Sequence, residues 1–344
     1  MSTVEFSWGH LISKLLAGDS LTEQESSSAM VEIMEGAATP AQIAGFVVAL
    51  RGKGETVDEF AGMVRTMRSY ARRVPVSGEL LDTCGTGGDR TGTFNVSTAA
   101  AIVCAGAGVK VAKHGNRAAS SRCGSADVLE ALGVVIDLPP EGVAACIDKA
   151  GIGFCFAPVF HPAMRHAGAP RRELGVATIF NFLGPLTNPA GATRQALGVA
   201  DERMIDKMVV TLGRLGSTRV LAFHGHQGLD ELATSGPSRV VELRDGDVHQ
   251  WTIDPNELGL APATLDEISG GTAEDNAAHI RRVFEGERGP RRDIVALNAA
   301  AGLVAAGVAE DMPNGLVLAT ETIDSGAAAT TLVLLVETSR SLAG

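Results

Sequence analysis

Beyond residue 76 the chain alternates short apolar runs with longer helical ones, and this order narrows the fold more than any other feature. "ELLDTC" reads as a strand, "STAAAIVCAGAG" as an Ala-rich helix, "VKVA" as a second strand, "SADVLEALG" as a helix and "VVID" as a third strand. Farther on, "RQALGVA", "ERMIDKMVVTLGRLG" and "TRVLAFHG" repeat strand, helix, strand. Crossovers of that length are too long for hairpins, so the strands should run mostly parallel with helices packed on the sheet. From Trp8 to about Arg73, by contrast, apolar residues recur only at helical spacing. There Thr39 is placed to cap a helix with Pro40 in its first turn, and Gly52 and Gly54 punctuate its end. The expected fold class is α/β: a mostly parallel central sheet with flanking helices, plus a small all-helical N-terminal domain.

This order predicts where ligands bind. "GTGGD" follows the strand ending near Cys84, "KHGNRAASS" the strand ending near Ala112, and "HGHQGLDEL" the strand ending near Phe223. In a parallel sheet these ends share one edge, where open α/β folds take their ligands. Three unusual loops should therefore converge.

In "GTGGDRTGTFNVST" the glycines let backbone N–H groups approach an anion, and Asn95, Ser97 and Thr98 stand where the next helix begins. No lysine closes the loop as a P-loop requires, the spacing is not that of a dinucleotide fingerprint, and Asp89 puts a carboxylate beside the presumed phosphate. A tight turn followed by an ordinary N-cap is the bland alternative. "CAGAGVKV" has glycines before a strand, which suits a helix C-cap. Lys113 can meet a phosphate as a point charge, and Asn116 can bond a sugar or an aromatic substrate; a solvated loop would explain both residues as well. Asp230 and Glu231 are either a solvated pair or ligands of a hard divalent cation such as Mg²⁺. His224 and His226 have no convincing third ligand for zinc. One of Arg171 and Arg172 can clamp a carboxylate with its planar fork.

Composition bounds the rest. A formal charge of −11 opposes a general nucleic-acid surface, so any anion site must be local. Five cysteines without a C-x-x-C pair suit a reducing compartment. No signal peptide is evident and apolar runs such as "AQIAGFVVAL" are too short to span a membrane, so a cytoplasmic, soluble protein is expected.

"GTGGD", "FNVST", "KHGNRAASS", "GSADVLEALG", "RRELGVATIFNFLGPLTNP" and "GLDEL", in this order and over nearly the whole chain, resemble the anthranilate phosphoribosyltransferases of tryptophan biosynthesis. The resemblance implies a nucleoside phosphorylase/phosphoribosyltransferase-like fold. Its parts would be a helical domain at 1–75, joined by helices from about 160–185 and forming homodimers, and a catalytic α/β domain at 76–344. It implies transfer of the 5-phosphoribosyl group of phosphoribosyl pyrophosphate (PRPP) to the amino group of anthranilate, with release of pyrophosphate. PRPP would meet Gly85, Gly88, Asp89, Thr93, Asn95, Val96, Ser97, Thr98, Lys113, His114, Gly115, Asn116, Arg117, Ala118, Ala119, Ser120, Ser121 and Ser125. Anthranilate would meet Gly85, Asn116 and Arg171, with His114, His161 and Pro185 along its path. Mg²⁺ would be held by Asp230 and Glu231, with Ser97 near a second ion. Two departures stand out: Ala177, where the family often has Arg, and Pro170, which restrains the backbone before Arg171. Two alternatives are a pyrimidine-nucleoside-phosphorylase-like enzyme and a non-enzymatic relative that binds nucleic acid. The "RRELGVATIFNFLGPLTNP" stretch argues against the first, and the net charge and intact "GLDEL" against the second.

Overall fold

The computed structural model describes residues 6–118 and 122–343. The N-terminal part is four helices, α1 (Trp8–Leu16), α2 (Glu23–Met34), α3 (Pro40–Lys53) and α4 (Val57–Tyr70). Thr22, Thr39 and Thr56 open α2, α3 and α4 with reciprocal capping boxes to Glu25, Gln42 and Glu59. The third helix runs through Gly52 and ends at Gly54, whose φ of 90° no branched residue would adopt readily.

Glu59 does more than cap. Its carboxylate, fully buried, accepts the Leu21 N–H at 2.9 Å and the Thr56 N–H at 2.7 Å, and lies 3.0 Å from Lys53 Nζ. One side chain thus ties the ends of three helices together. Glu59→Ala strands the Lys53 charge in the interior and should cost about 3–5 kcal/mol, read as a lowered urea midpoint.

The α/β part holds one seven-stranded sheet in the order β3-β2-β1-β4-β5-β6-β7. Its strands are β1 (Leu81–Gly85), β2 (Val111–Gly115), β3 (Ile152–Phe156), β4 (Arg194–Gly198), β5 (Arg219–His224), β6 (Ser238–Arg244) and β7 (Asp247–Ile253). β3 through β5 run parallel, whereas β6 and β7 continue antiparallel. The last two form a hairpin about Asp245 and Gly246, both with positive φ as a tight hairpin turn demands. Strand order reverses between β1 and β4, where Gly85 pairs with Gly198, and that reversal opens the crevice.

The third strand is "IGFCF", not "VVID". Residues 134–137 are unpaired chain between α6 (Ser125–Leu132) and α7 (Pro140–Ala150). Val134 and Ile136 are indeed buried in alternation, but the surface they meet is helical: the Val135 N–H donates to Ser339 Oγ of α15 (Ala327–Leu342). Alternation reports a half-buried extended segment, and a strand partner is a separate condition.

The two faces of the sheet feed two cores. Leu197, Val199, Val220 and Ala222 pack with the N-terminal helices, α10 (Phe180–Leu183) and α11 (Ile205–Arg214). The intervening Ala196, Leu221 and Phe223 pack with α5 (Val96–Gly106) and α13 (Pro290–Ala305). In the first of these cores, α9 (Arg165–Leu174) lies against α2 and α3, although it is remote from them in sequence. No helix among the described residues is long and apolar enough to cross a membrane.

Candidate active site

The crevice at the carboxyl ends of β1, β2 and β5 is a cleft of about 690 Å³ with the helical part as its far wall. All three loops that were expected to converge line it: the Gly85–Asp89 turn, the Lys113–Ala118 turn and the Asp230–Glu231 pair.

Their contact is direct. The Gly87 N–H donates to Asp230 Oδ2 at 2.7 Å, and the Ser97 N–H, at the start of α5, donates to Glu231 Oε1 at 3.1 Å. Glycine is required where they meet: a Cβ on Gly85 would stand 2.2 Å from Asp230 Oδ2, and one on Gly198 only 1.6 Å from the Asp230 carbonyl oxygen. Gly198→Ala must therefore displace the Asp230 backbone. A fall in kcat of about 100-fold or more is expected, since displacements near 1 Å have that effect; steady-state rates against the Gly52→Ala control, which meets open space outside the cleft, would show it.

Charge is crowded on this wall. Burial, then the nearby Asp89, pushes the Asp230 carboxyl up to about 7, and burial with the Asp230 charge raises Glu231 well above the usual carboxylate range. Asp89 itself accepts from the Thr91 N–H at 3.3 Å and the Thr91 hydroxyl at 2.6 Å, which folds its loop back on itself. Lys113 brings positive charge to these carboxylates: it is 2% exposed, its ammonium donates to the Thr83 carbonyl at 2.6 Å and approaches Ser97 Oγ at 3.5 Å, and burial lowers its pKa.

Asn95 stands before α5 but its side chain does not cap the helix. Its amide instead donates to the Cys123 carbonyl at 3.3 Å and accepts from Asn276 Nδ2 at 2.8 Å, so it braces the glycine loop against α6 and α12 (Ala273–Phe284). Arg117 is committed to Asp127 at 2.9 Å and to Glu130, which leaves its charge largely neutralised although it lines the cleft. The Ser125 hydroxyl donates to the Asn116 carbonyl at 3.2 Å.

On the other side, Arg171 stacks over Phe180 with its guanidinium carbon 5.4 Å from the ring centre. It has no ion-pair partner among the described residues, whereas Arg172, one position on, is exposed. Pro170 sits inside α9 and is buried, and Ala177 is exposed. His114 and His161 lie 5.1 Å apart between the two walls, and burial pulls them down to about 3 and about 4, so both imidazoles are neutral. His114 is held by its backbone N–H, which donates to Asp82 Oδ1 at 3.1 Å, and by a ring Nδ1 contact with the Gly184 carbonyl at 3.1 Å.

Of the residues singled out from sequence, Gly85, Gly88, Asp89, Thr93, Asn95, Ser97, residues 113–118, Ser125, His161, Arg171, Pro185, Asp230 and Glu231 all line the cleft. Val96 and Thr98 do not: their side chains are 0% and 1% exposed and turn into the α5 core. Ala119, Ser120 and Ser121 lie outside the described residues. His224 bonds the Val199 carbonyl at 2.7 Å and neither it nor His226 lines the cleft. Sequence reasoning passed over Met67, Pro158, Met164, Arg165, Phe180 and Thr187. Met67 reaches the site from α4, whereas Pro158 follows β3 directly.

A model of the glycosyl transferase family helical bundle domain matches residues 9–71, and one of the glycosyl transferase family a/b domain matches residues 77–329. The anthranilate phosphoribosyltransferase of Moorella thermoacetica is 55% identical over 94% of this chain and 96% of its own length. The chain belongs to the anthranilate phosphoribosyltransferase family. The crystal structure of anthranilate phosphoribosyltransferase from Thermus thermophilus superposes with a TM-score of 0.91 at 48% identity, covering 96% of this chain and 99% of that one. An anthranilate phosphoribosyltransferase from Saccharomyces cerevisiae in complex with PRPP and Mg superposes at 0.87 with 26% identity, covering 97% of this chain and 98% of that one. Members of the family are pentosyltransferases, and the helical-plus-α/β architecture is theirs.

Proposed function

We propose that this anthranilate phosphoribosyltransferase-family enzyme seats the PRPP diphosphate at the glycine loop and anthranilate beside α9. The phosphoribosyl group then passes to the anthranilate amino group with loss of pyrophosphate. The observation that carries the reading is the Gly87–Asp230 hydrogen bond, because it joins an anion-accepting loop to a cation-accepting pair on one wall.

The donor set fits a hard divalent cation. Glu231 is buried and Asp230 half-buried, and both are oxygen donors whose charge is disfavoured there, by Asp89 for Asp230 and by Asp230 for Glu231. No cluster of three His, Cys, Asp or Glu capable of holding a metal occurs among the described residues, so Mg²⁺ at Asp230 and Glu231, with Ser97 near a second ion, would complete its shell from the diphosphate and water. When bound, Mg²⁺ neutralises diphosphate charge and stabilises it as a leaving group. Asp89 beside a phosphate then makes sense, as a partner for the hydrated cation or for a ribose hydroxyl.

The chain's own groups do the rest. Gly85, Gly88, Thr93, Asn95 and residues 113–118 offer N–H, hydroxyl and amide contacts to PRPP, and Lys113 adds an amine donor beneath it. Arg171, free of acidic partners, receives the anthranilate carboxylate, while Gly85, Asn116 and Pro185 frame the ring. An aromatic amine is neutral at pH 7, so no strong base is needed, and the neutral His114 and His161 line the path without adding charge. Catalysis is then positioning plus leaving-group stabilisation.

The division into residues 1–75 and 76–344, homodimers formed through the helical part and a cytoplasmic location complete this reading. Leu16 (74% exposed) and Val48 (47%) offer apolar surface on the helical part, and five buried cysteines suit a reducing compartment. The test is loss of anthranilate fluorescence with PRPP and Mg²⁺, each left out in turn. Consumption that continues without PRPP would refute the assignment.

A further inference from the structure

We infer that a second anion site, sized for one tetrahedral oxyanion of the phosphate class, lies at the N-terminal end of α13, outside the cleft. A cavity of about 40 Å³ there is lined by His279, Arg282, Arg288, Arg291 and Arg292, with Glu287. At roughly 10–15 Å³ for each enclosed water, this space takes about three waters or one small oxyanion. None of these residues lines the catalytic cleft.

Charge is out of balance at the cavity in a chain that is acidic overall. Four guanidiniums face one carboxylate, Glu287, which lies 3.3 Å from Arg282 Nε, and Asp324 reaches Arg292 at 2.7 Å. Arg288 and Arg291 have no ion-pair partner among the described residues. The helix end adds donors: Gly289 caps α13 without a side-chain bond and Pro290 follows, which leaves the Arg291 and Arg292 N–H groups without helical acceptors. Independent of the helix, Arg292 is only 7% exposed and its Nε, like that of Arg291, is buried with no hydrogen-bond partner. Buried donors are seldom left this way unless an ion or water meets them. Burial and the charges of Arg291 and Arg282 also hold His279 below its usual range.

The position connects the cavity to the catalytic loop. Arg291 Nη2 donates to the Ser269 carbonyl at 3.3 Å, Ser269 bridges Thr93, and the Phe94 ring meets His279 edge-on at 6.1 Å. An oxyanion here sits one layer behind the segment that carries Thr93 and Asn95.

The probe is inorganic phosphate, titrated into the whole enzyme labelled with ¹³C-histidine at fixed pH and ionic strength, with the His279 ring signal assigned by His279→Gln. A saturable shift is expected that chloride does not reproduce and that weakens about tenfold or more in Arg288→Ala and in Arg291→Ala. Arg288 is exposed with no ion pair among the described residues, so its variant should stay folded by circular dichroism, and it keeps the comparison valid if the Arg291 variant does not. A His279 signal that stays fixed, moves equally with chloride, or responds alike in folded Arg288→Ala overturns the site. Glycerol 3-phosphate moving the same signal assigns the pocket to the phosphoryl end of a larger molecule; its failure to do so assigns it to the free ion.

Discussion

Asp230→Ala/Glu231→Ala is expected to lower Mg²⁺-dependent turnover by about 10³-fold or more, the scale of losing a main electrostatic stabiliser of a leaving group. Unfolding would be the trivial explanation, and the structure argues against it. Burial raises both carboxyls, with the Asp89 charge adding to Asp230 and the Asp230 charge to Glu231, so in their ionised forms they oppose folding instead of supporting it. Their removal is therefore expected to leave the metal-free thermal midpoint at or above that of the parent, even though Asp230 gives up the Gly87 N–H. Anthranilate fluorescence at increasing Mg²⁺ and a melting curve on the same sample make the comparison. Near-parental turnover at saturating Mg²⁺ would remove these two residues from the metal site.

Arg171→Ala should raise the KM for anthranilate about 10- to 100-fold, as losing a charge-assisted hydrogen bond of roughly 1.5–3 kcal/mol would. The KM for PRPP should change little. Selectivity of this kind follows from position: Arg171 stands on α9, against Phe180 and across the cleft from the Asp230 pair. Arg171→Lys should recover only part of the loss, because an ammonium lacks both the planar fork and the stacking face. Equal losses for both substrates would mean that the residue shapes the cleft as a whole and does not clamp the carboxylate.

Much of the scaffold was legible because each element obeyed its local rule. The capping box at Thr39 and the glycine beyond α5 appear as their residue types imply. "VVID" misled because its buried alternation is real but answers to α15. The β6–β7 hairpin passed unread, since β7 is mostly exposed and has little apolar patterning, although its Asp245-Gly246 turn was a usable signal. Within the site, the polar residues that follow each strand could be read directly. Met67, Met164 and Phe180 could not, because nothing local distinguishes a helix residue that faces a cleft from one that faces the core.

The sequence by itself determined the element types and the inventory of donors, carboxylates and glycines, because turn chemistry and apolar period act within a few residues. Tertiary structure alone decided the electrostatic state of those groups. Asp230 is raised to about 7 only because packing removes water and sets Asp89 nearby, and Asn95 leaves its helix uncapped while Asn276 and Cys123, both remote in the chain, donate to its side-chain oxygen. Desolvation and charge crowding depend on neighbours that the chain order does not name.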